Sequence, residues 1–129
     1  MTRVTAATFL FVALAGGLGS LLRYALGGWI ARSTGGVFPW ETLTINVLGS
    51  LAIGSLAALV DRGQLLSPTT RMALMAGLLG GFTTFSSFAL ETFRLAQDAQ
   101  WMRAGLYILA TNTIGLVAVW AGYRILEAY

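Results

Sequence analysis

Residues 80–88 read Gly-Gly-Phe-Thr-Thr-Phe-Ser-Ser-Phe, within an apolar stretch long enough to cross a bilayer. Adjacent glycines and a run of hydroxyls are costly in that setting. Backbone groups freed in hydrocarbon cost several kcal/mol each unless protein or a water-filled cavity satisfies them. The segment therefore either packs tightly against another chain or lines a path for something polar. Phe85 and Phe88 are spaced i, i+3 and share a helix face. A phenyl ring carries positive potential at its edge. Beside the hydroxyls of Thr83, Thr84, Ser86 and Ser87, such edges suit a small anion that must lose its water. A break at the glycines does the opposite job, turning carbonyls outward, and carbonyl oxygens coordinate a cation. One segment can thus offer a cation site and an anion path. Read as packing alone, the same phenylalanines simply fill space between helices.

Three further polar residues lie inside apolar stretches. Asn46 either hydrogen-bonds a neighbouring helix or donates two hydrogen bonds from its amide to an anion. Arg23 either anchors, by snorkelling or by pairing with a helix C-terminus, or draws anions into a vestibule. Glu91 is the one acid clearly inside a span, and an intramembrane carboxylate is a functional hypothesis by default. It can equally be neutralised by a proton or hydrogen-bonded to a hydroxyl. Thr84, Ser87 and Glu91 fall on one stripe beside the phenylalanines.

The elements that must position these residues follow from composition. The chain has 129 residues, 57% hydrophobic and 10% charged, with a mean hydropathy of +0.75. A soluble domain averages about 25% charged. Four apolar stretches, residues 6–30, 42–60, 72–93 and 104–126, each approach or exceed the roughly 20 residues that span hydrocarbon. They leave no soluble domain, so the expectation is an all-α membrane protein with a single four-span domain over residues 1–129. The first span is no signal peptide: its run is too long, it holds Arg23, and more spans follow. Ser67-Pro68 reads as the start of the third span. Residues 31–41 form the longest expected loop, with Gly35, Gly36 and Pro39 as turn signals.

With no Cys and no His, disulfides, thiolate chemistry, haem ligation and most zinc sites are excluded. The net charge of +3 comes from eight arginines that form no basic run, which argues against a nucleic-acid partner. Their placement bears on topology. Arg3, Arg62, Arg71 and Arg124 fall on one side of a four-span chain, against Arg32, Arg94 and Arg103 on the other, with Arg23 as a fourth if it lies near that surface. Positive-inside orientation works through such a difference. A difference of one or none favours insertion both ways and an antiparallel dimer, over a single orientation set by a weak bias. Packing positions fit an oligomer: Gly16, Ser20, Arg23 and Gly27 share one face of span 1, Ser50 and Gly54 have small-xxx-small spacing, and Tyr107, Thr111, Gly115 and Gly122 recur along span 4.

Three pieces then carry a resemblance. They are Gly-Gly-Leu-Gly-Ser-Leu-Leu-Arg-Tyr (16–24), Thr-Leu-Thr-Ile-Asn-Val-Leu-Gly-Ser (42–50) and Gly-Leu-Leu-Gly-Gly-Phe-Thr-Thr-Phe-Ser-Ser-Phe (77–88), with Glu91 following. In this order, on these spans, the pattern resembles the Fluc family of fluoride ion channels over nearly the whole chain. The resemblance implies a dual-topology homodimer with two antiparallel pores in the bilayer of a bacterial inner membrane. It implies a passive fluoride channel that exports fluoride and so reduces its toxicity, with a structural sodium ion at the dimer centre. It further implies a third helix broken near Gly80–Thr83, with the carbonyls of Gly80 and Thr83 holding sodium. Asn46, Phe85 and Phe88 would line the fluoride path, and Ser86, Ser87, Tyr107 and Thr111 would continue it. Arg23 and Glu91 match motif positions as vestibule or structural residues. Gly115 stands where a further hydroxyl would extend the Tyr107–Thr111 stripe.

Other classes make distinct demands. A small dual-topology multidrug/proton antiporter would need an embedded carboxylate, for which Glu91 is the candidate, although span 1, where such a site is usual, has no acid. A non-transporting assembly subunit would use every glycine for packing alone. An enzyme is disfavoured by the absence of His, Cys and paired acids in the spans.

Overall fold

The computed structural model describes residues 4–63 and 66–128. Arg3, one of the arginines weighed for topology, lies outside the described residues. Helix α1 is Ala6–Thr34 and α2 is Trp40–Asp61. The third apolar segment is composite: α3 (Pro68–Met72), a π-helical stretch Ala73–Leu79, α4 (Gly80–Phe82) and α5 (Phe85–Gln97). Helix α6 is Trp101–Glu127. No strand occurs among the described residues. Four segments are long and apolar enough to cross a membrane: Ala6–Thr34, Trp40–Asp61, Pro68–Gln97 and Trp101–Glu127.

Local chemistry sets the ends. Thr5 caps α1 by accepting from the Thr8 N–H at 3.3 Å. Ser67 accepts from the Thr70 N–H at 3.1 Å with Pro68 in the first turn, where a missing donor is harmless. The loop expected over residues 31–41 is shorter than that. Helix α1 runs on to Thr34, where Ser33 and Thr34 turn their hydroxyls back onto the carbonyls of Trp29 and Ile30, each at 2.9 Å. Gly35 and Gly36 then adopt φ of 55° and 106°, which end the helix.

The helices pack as two layers. Helix α1 lies along the first arm of the third segment, and α2 lies along α6, with α1–α2 and α5–α6 contacts joining them. Both main crossings depend on missing side chains. A Cβ on Gly81 would overlap the Gly16 carbonyl, one on Gly54 the Val119 carbonyl, and one on Gly122 the Leu51 carbonyl. Ser55 ties the second crossing by donating to the carbonyls of Leu51 at 3.0 Å and Gly122 at 3.2 Å. The turn between α5 and α6 is closed by the Gln100 N–H on the Leu95 carbonyl at 2.8 Å. That hairpin brings Phe88, Leu95, Ala104 and Tyr107 into one buried cluster with Leu43 of α2.

Candidate functional site

The third segment leaves helical geometry at two residues. Thr83 (φ −81°, ψ 160°) and Thr84 (φ −152°, ψ 115°) are extended between α4 and α5. Their backbone groups must bond elsewhere. The Thr84 N–H donates to Asn46 Oδ1 at 2.8 Å, and Asn46 Nδ2 donates to the Thr84 carbonyl at 3.0 Å. Thr84 then caps α5, its Oγ1 accepting from the Ser87 N–H at 3.2 Å and donating to Ser87 Oγ at 3.1 Å. In an unbroken α-helix the Thr84 N–H would close on the Gly80 carbonyl and the Ser87 N–H on the Thr83 carbonyl. Both donors are diverted, so both carbonyls are released from their helical partners. The Gly81 carbonyl takes a different pair: Arg23 Nε at 3.1 Å and Ser20 Oγ at 3.4 Å. Arg23 thus meets the C-terminal end of a half-helix, where positive charge is favoured.

Two cavities meet at Thr84. A larger one, about 610 Å³, is lined by Arg23, Arg32, Glu41, Thr42, Thr84 and Ser87 among others. The second, about 320 Å³, includes Asn46, Gly80, Thr83, Thr84, Phe85 and Phe88, and reaches Thr111. Thr111 Oγ1 is buried and has no hydrogen-bond partner among the described residues. Ser50 also faces the second cavity, and its Oγ lies 3.7 Å from where a Cβ would stand on Gly115. The hydroxyl missing at Gly115 is therefore matched by one from α2.

The two phenylalanines share the second cavity but differ in setting. Their ring centroids are 5.6 Å apart at 57°. Phe85 is 78% exposed, whereas Phe88 is 9% exposed and packs edge-on against Tyr107 at 5.1 Å. Ser86 is exposed, and its one side-chain hydrogen bond among the described residues is with Thr84 Oγ1, at 3.5 Å; it lines neither cavity.

Tyr107 is fully buried and lines neither cavity, unlike Thr111 one turn further along α6. Its hydroxyl donates to Glu91 Oε2 at 2.7 Å, while Thr42 Oγ1 donates to Glu91 Oε1 at 2.8 Å. Each oxygen of the carboxyl is engaged, and three helices are tied through it. Asn46 likewise spends one amide hydrogen and its oxygen on Thr84, which leaves a single N–H for any ligand rather than two. Thr42, Gly49 and Ser50 take part in this arrangement without having been singled out as site residues. Thr42, Asn46, Gly49 and Ser50 share one face of α2 at three- and four-residue spacing, and that spacing was the available signal.

Comparison with known proteins places this arrangement. Residues 10–123 match the CrcB-like protein, Camphor Resistance (CrcB) family. A protein of Opitutus terrae, "Fluoride-specific ion channel FluC", is 47% identical over 117 residues, covering 89% of each chain. The proteins of that name from Paramagnetospirillum magneticum and Thermus thermophilus are each 48% identical, over 118 residues (90% of this chain and 92% of the relative) and 117 residues (91% of each). These relatives give no support to an antiporter built on Glu91, whose carboxyl is held by Thr42 and Tyr107. Four membrane-length helices and a match that runs through all of them lead to one conclusion: the chain is a multi-pass membrane protein and belongs to the CrcB-like family.

Proposed function

We propose that this protein is a passive, fluoride-selective channel rather than an enzyme. The observation that carries the reading is the 47–48% identity, over about nine-tenths of the chain, to proteins named fluoride-specific ion channels. The geometry is compatible with an anion route. Arg23 and Arg32 bring positive charge to the outer cavity, and among the described residues neither forms an ion pair. Ser87 and Thr84 lead inward, and the second cavity offers the rings of Phe85 and Phe88, the remaining Asn46 N–H and the unpaired Thr111 hydroxyl. These are hydrogen-bond donors and electropositive ring edges, which substitute for water around a small anion. Ser50 extends the series in place of Gly115, whereas Ser86 and Tyr107 lie outside both cavities, and the Tyr107 hydroxyl is spent on Glu91.

Fluoride is weakly basic. Its neutral acid enters a cell from an acidic exterior and dissociates inside, trapping the anion. The membrane potential then drives the anion out at about 2.3 kcal/mol per charge per 100 mV, so export needs only a selective passage, and it lowers fluoride toxicity without a pump.

The assembly belongs to the same proposal: an antiparallel, dual-topology homodimer in the bacterial inner membrane. The balanced arginines support it, as does an exposed Phe85 ring beside an exposed Gly80, a surface that a second copy would cover. A structural sodium ion at the centre of that dimer fits the carbonyls of Gly80 and Thr83, since each has lost its helical donor. No group of three or more acidic, His or Cys side chains gathers among the described residues. When bound there, sodium would supply the positive charge that balances the Gly80 and Thr83 carbonyls of each chain. The decisive experiment is fluoride efflux from liposomes containing only this protein, with chloride as comparison. Efflux no faster than from empty liposomes, or equal rates for both ions, would defeat the reading.

A further inference from the structure

We infer that Asn46 and Gly49, one turn apart on α2, are the positioning pair that holds the third segment open at Thr83–Thr84 and thereby keeps the Gly80 and Thr83 carbonyls free. Asn46 grips the second residue of the interruption at both main-chain groups, accepting from its N–H at 2.8 Å and donating to its carbonyl at 3.0 Å. That two-point match needs an acceptor and a donor side by side on one short side chain, which a carboxamide has. Gly49 receives the first residue. A Cβ there would overlap Thr83 Cγ2 and stand 3.5 Å from Phe82 Cδ1. Thr83 cannot swing aside cheaply. It is β-branched, and its Oγ1 donates to the Leu79 carbonyl at 2.8 Å.

Helix α2 therefore presents two matched features. One is an amide that replaces the helical partner of the Thr84 N–H; the other is a gap that takes the Thr83 methyl. The diverted N–H is the donor that the Gly80 carbonyl would otherwise take. A residue facing the second cavity thus also governs which main-chain groups of the third segment stay free. The consequence for sodium rests on the channel reading, whereas the backbone consequence does not.

The test uses full-length protein in lipid bilayers and solid-state NMR carbon shifts at Thr83 and Thr84. The parent is expected to show extended values at both. Asn46→Leu removes both bonds and is expected to move Thr84 to helical values. Asn46→Asp keeps the acceptor for the Thr84 N–H and is expected to stay extended. Gly49→Ala is expected to displace the Thr83 shifts. Alongside, the thermal midpoint of each dimer is compared in sodium and in N-methylglucamine. A sodium-dependent rise in the parent is expected to be lost in Asn46→Leu and kept in Asn46→Asp. Extended Thr84 shifts in Asn46→Leu overturn the inference. If that variant yields no protein, helical shifts in Asn46→Asp or unmoved Thr83 shifts in Gly49→Ala overturn it instead. A parent without a sodium response removes the sodium reading and leaves the shifts to decide. Fluoride flux enters neither criterion, so a failed channel reading is told apart.

Discussion

Tyr107 donates its hydroxyl hydrogen to Glu91 Oε2 at 2.7 Å, linking the two arms of the α5–α6 hairpin inside the bundle. The other carboxyl oxygen takes Thr42 of α2 at 2.8 Å. Tyr107 has 0% exposure, and its ring is flanked edge-on by Phe88 and by Phe38, the latter at 5.5 Å. Tyr107→Phe keeps that ring packing and removes one bond. An acceptor left unpaired in such a place costs about 1–3 kcal/mol. The variant is expected to melt earlier than the parent in thermal unfolding of the purified protein. An unchanged midpoint would show that the hydroxyl contributes nothing to the tie.

Phe85 and Phe88 are expected to separate in stability and agree in flux. Phe88 is buried against Tyr107, so Phe88→Ile alters core packing and is expected to cost about 1–3 kcal/mol. Phe85 is exposed in the single chain, and Phe85→Ile costs that chain little. Either change removes an electropositive ring edge from the proposed anion route. A lost contact to a charged group is worth roughly 1.5–3 kcal/mol, or about one to two decades in rate. Fluoride efflux is therefore expected to fall strongly in both variants, with protein yield near the parent's for Phe85→Ile. Parent-like efflux in both would assign the rings to packing.

The α2–α6 crossing gives a prediction independent of transport. Gly54→Ala and Gly122→Ala each place a methyl into a facing carbonyl, and the helices must separate. Overpacking of this kind costs about 1–3 kcal/mol or more. Gly115→Ala meets Ser50 Oγ at an ordinary 3.7 Å and is expected to melt like the parent. Equal midpoints for all three would mean that the crossing is loose enough to admit a methyl.

Topology is checked by labelling a C-terminal tag in intact cells. Balanced arginines predict comparable accessibility from both sides of the membrane. Nearly all molecules in one orientation would rule out the antiparallel dimer.

Hydropathy alone located the apolar segments that fold as Ala6–Thr34, Trp40–Asp61, Pro68–Gln97 and Trp101–Glu127, because burial in lipid is written into every residue of a span. Ser67-Pro68 marked a helix start for an equally local reason. The clustering of glycine, hydroxyl and phenylalanine at 80–88 was likewise visible, since expensive residues in a span advertise themselves. What stayed hidden was each polar group's partner. Arg23 bonds a carbonyl 58 residues away, Asn46 bonds Thr84 38 residues away, and Tyr107 spends its hydroxyl on Glu91. Periodicity reports which residues share a face, but not which faces meet. The π-helical stretch and the extra turn of α1 were hidden too, as both depend on backbone bonding that the pattern of apolar residues does not encode. Sequence thus determined the spans and the composition of the site. Only the packing of α2 against the interruption decided which of Asn46's hydrogen bonds were already taken and which carbonyls were left free.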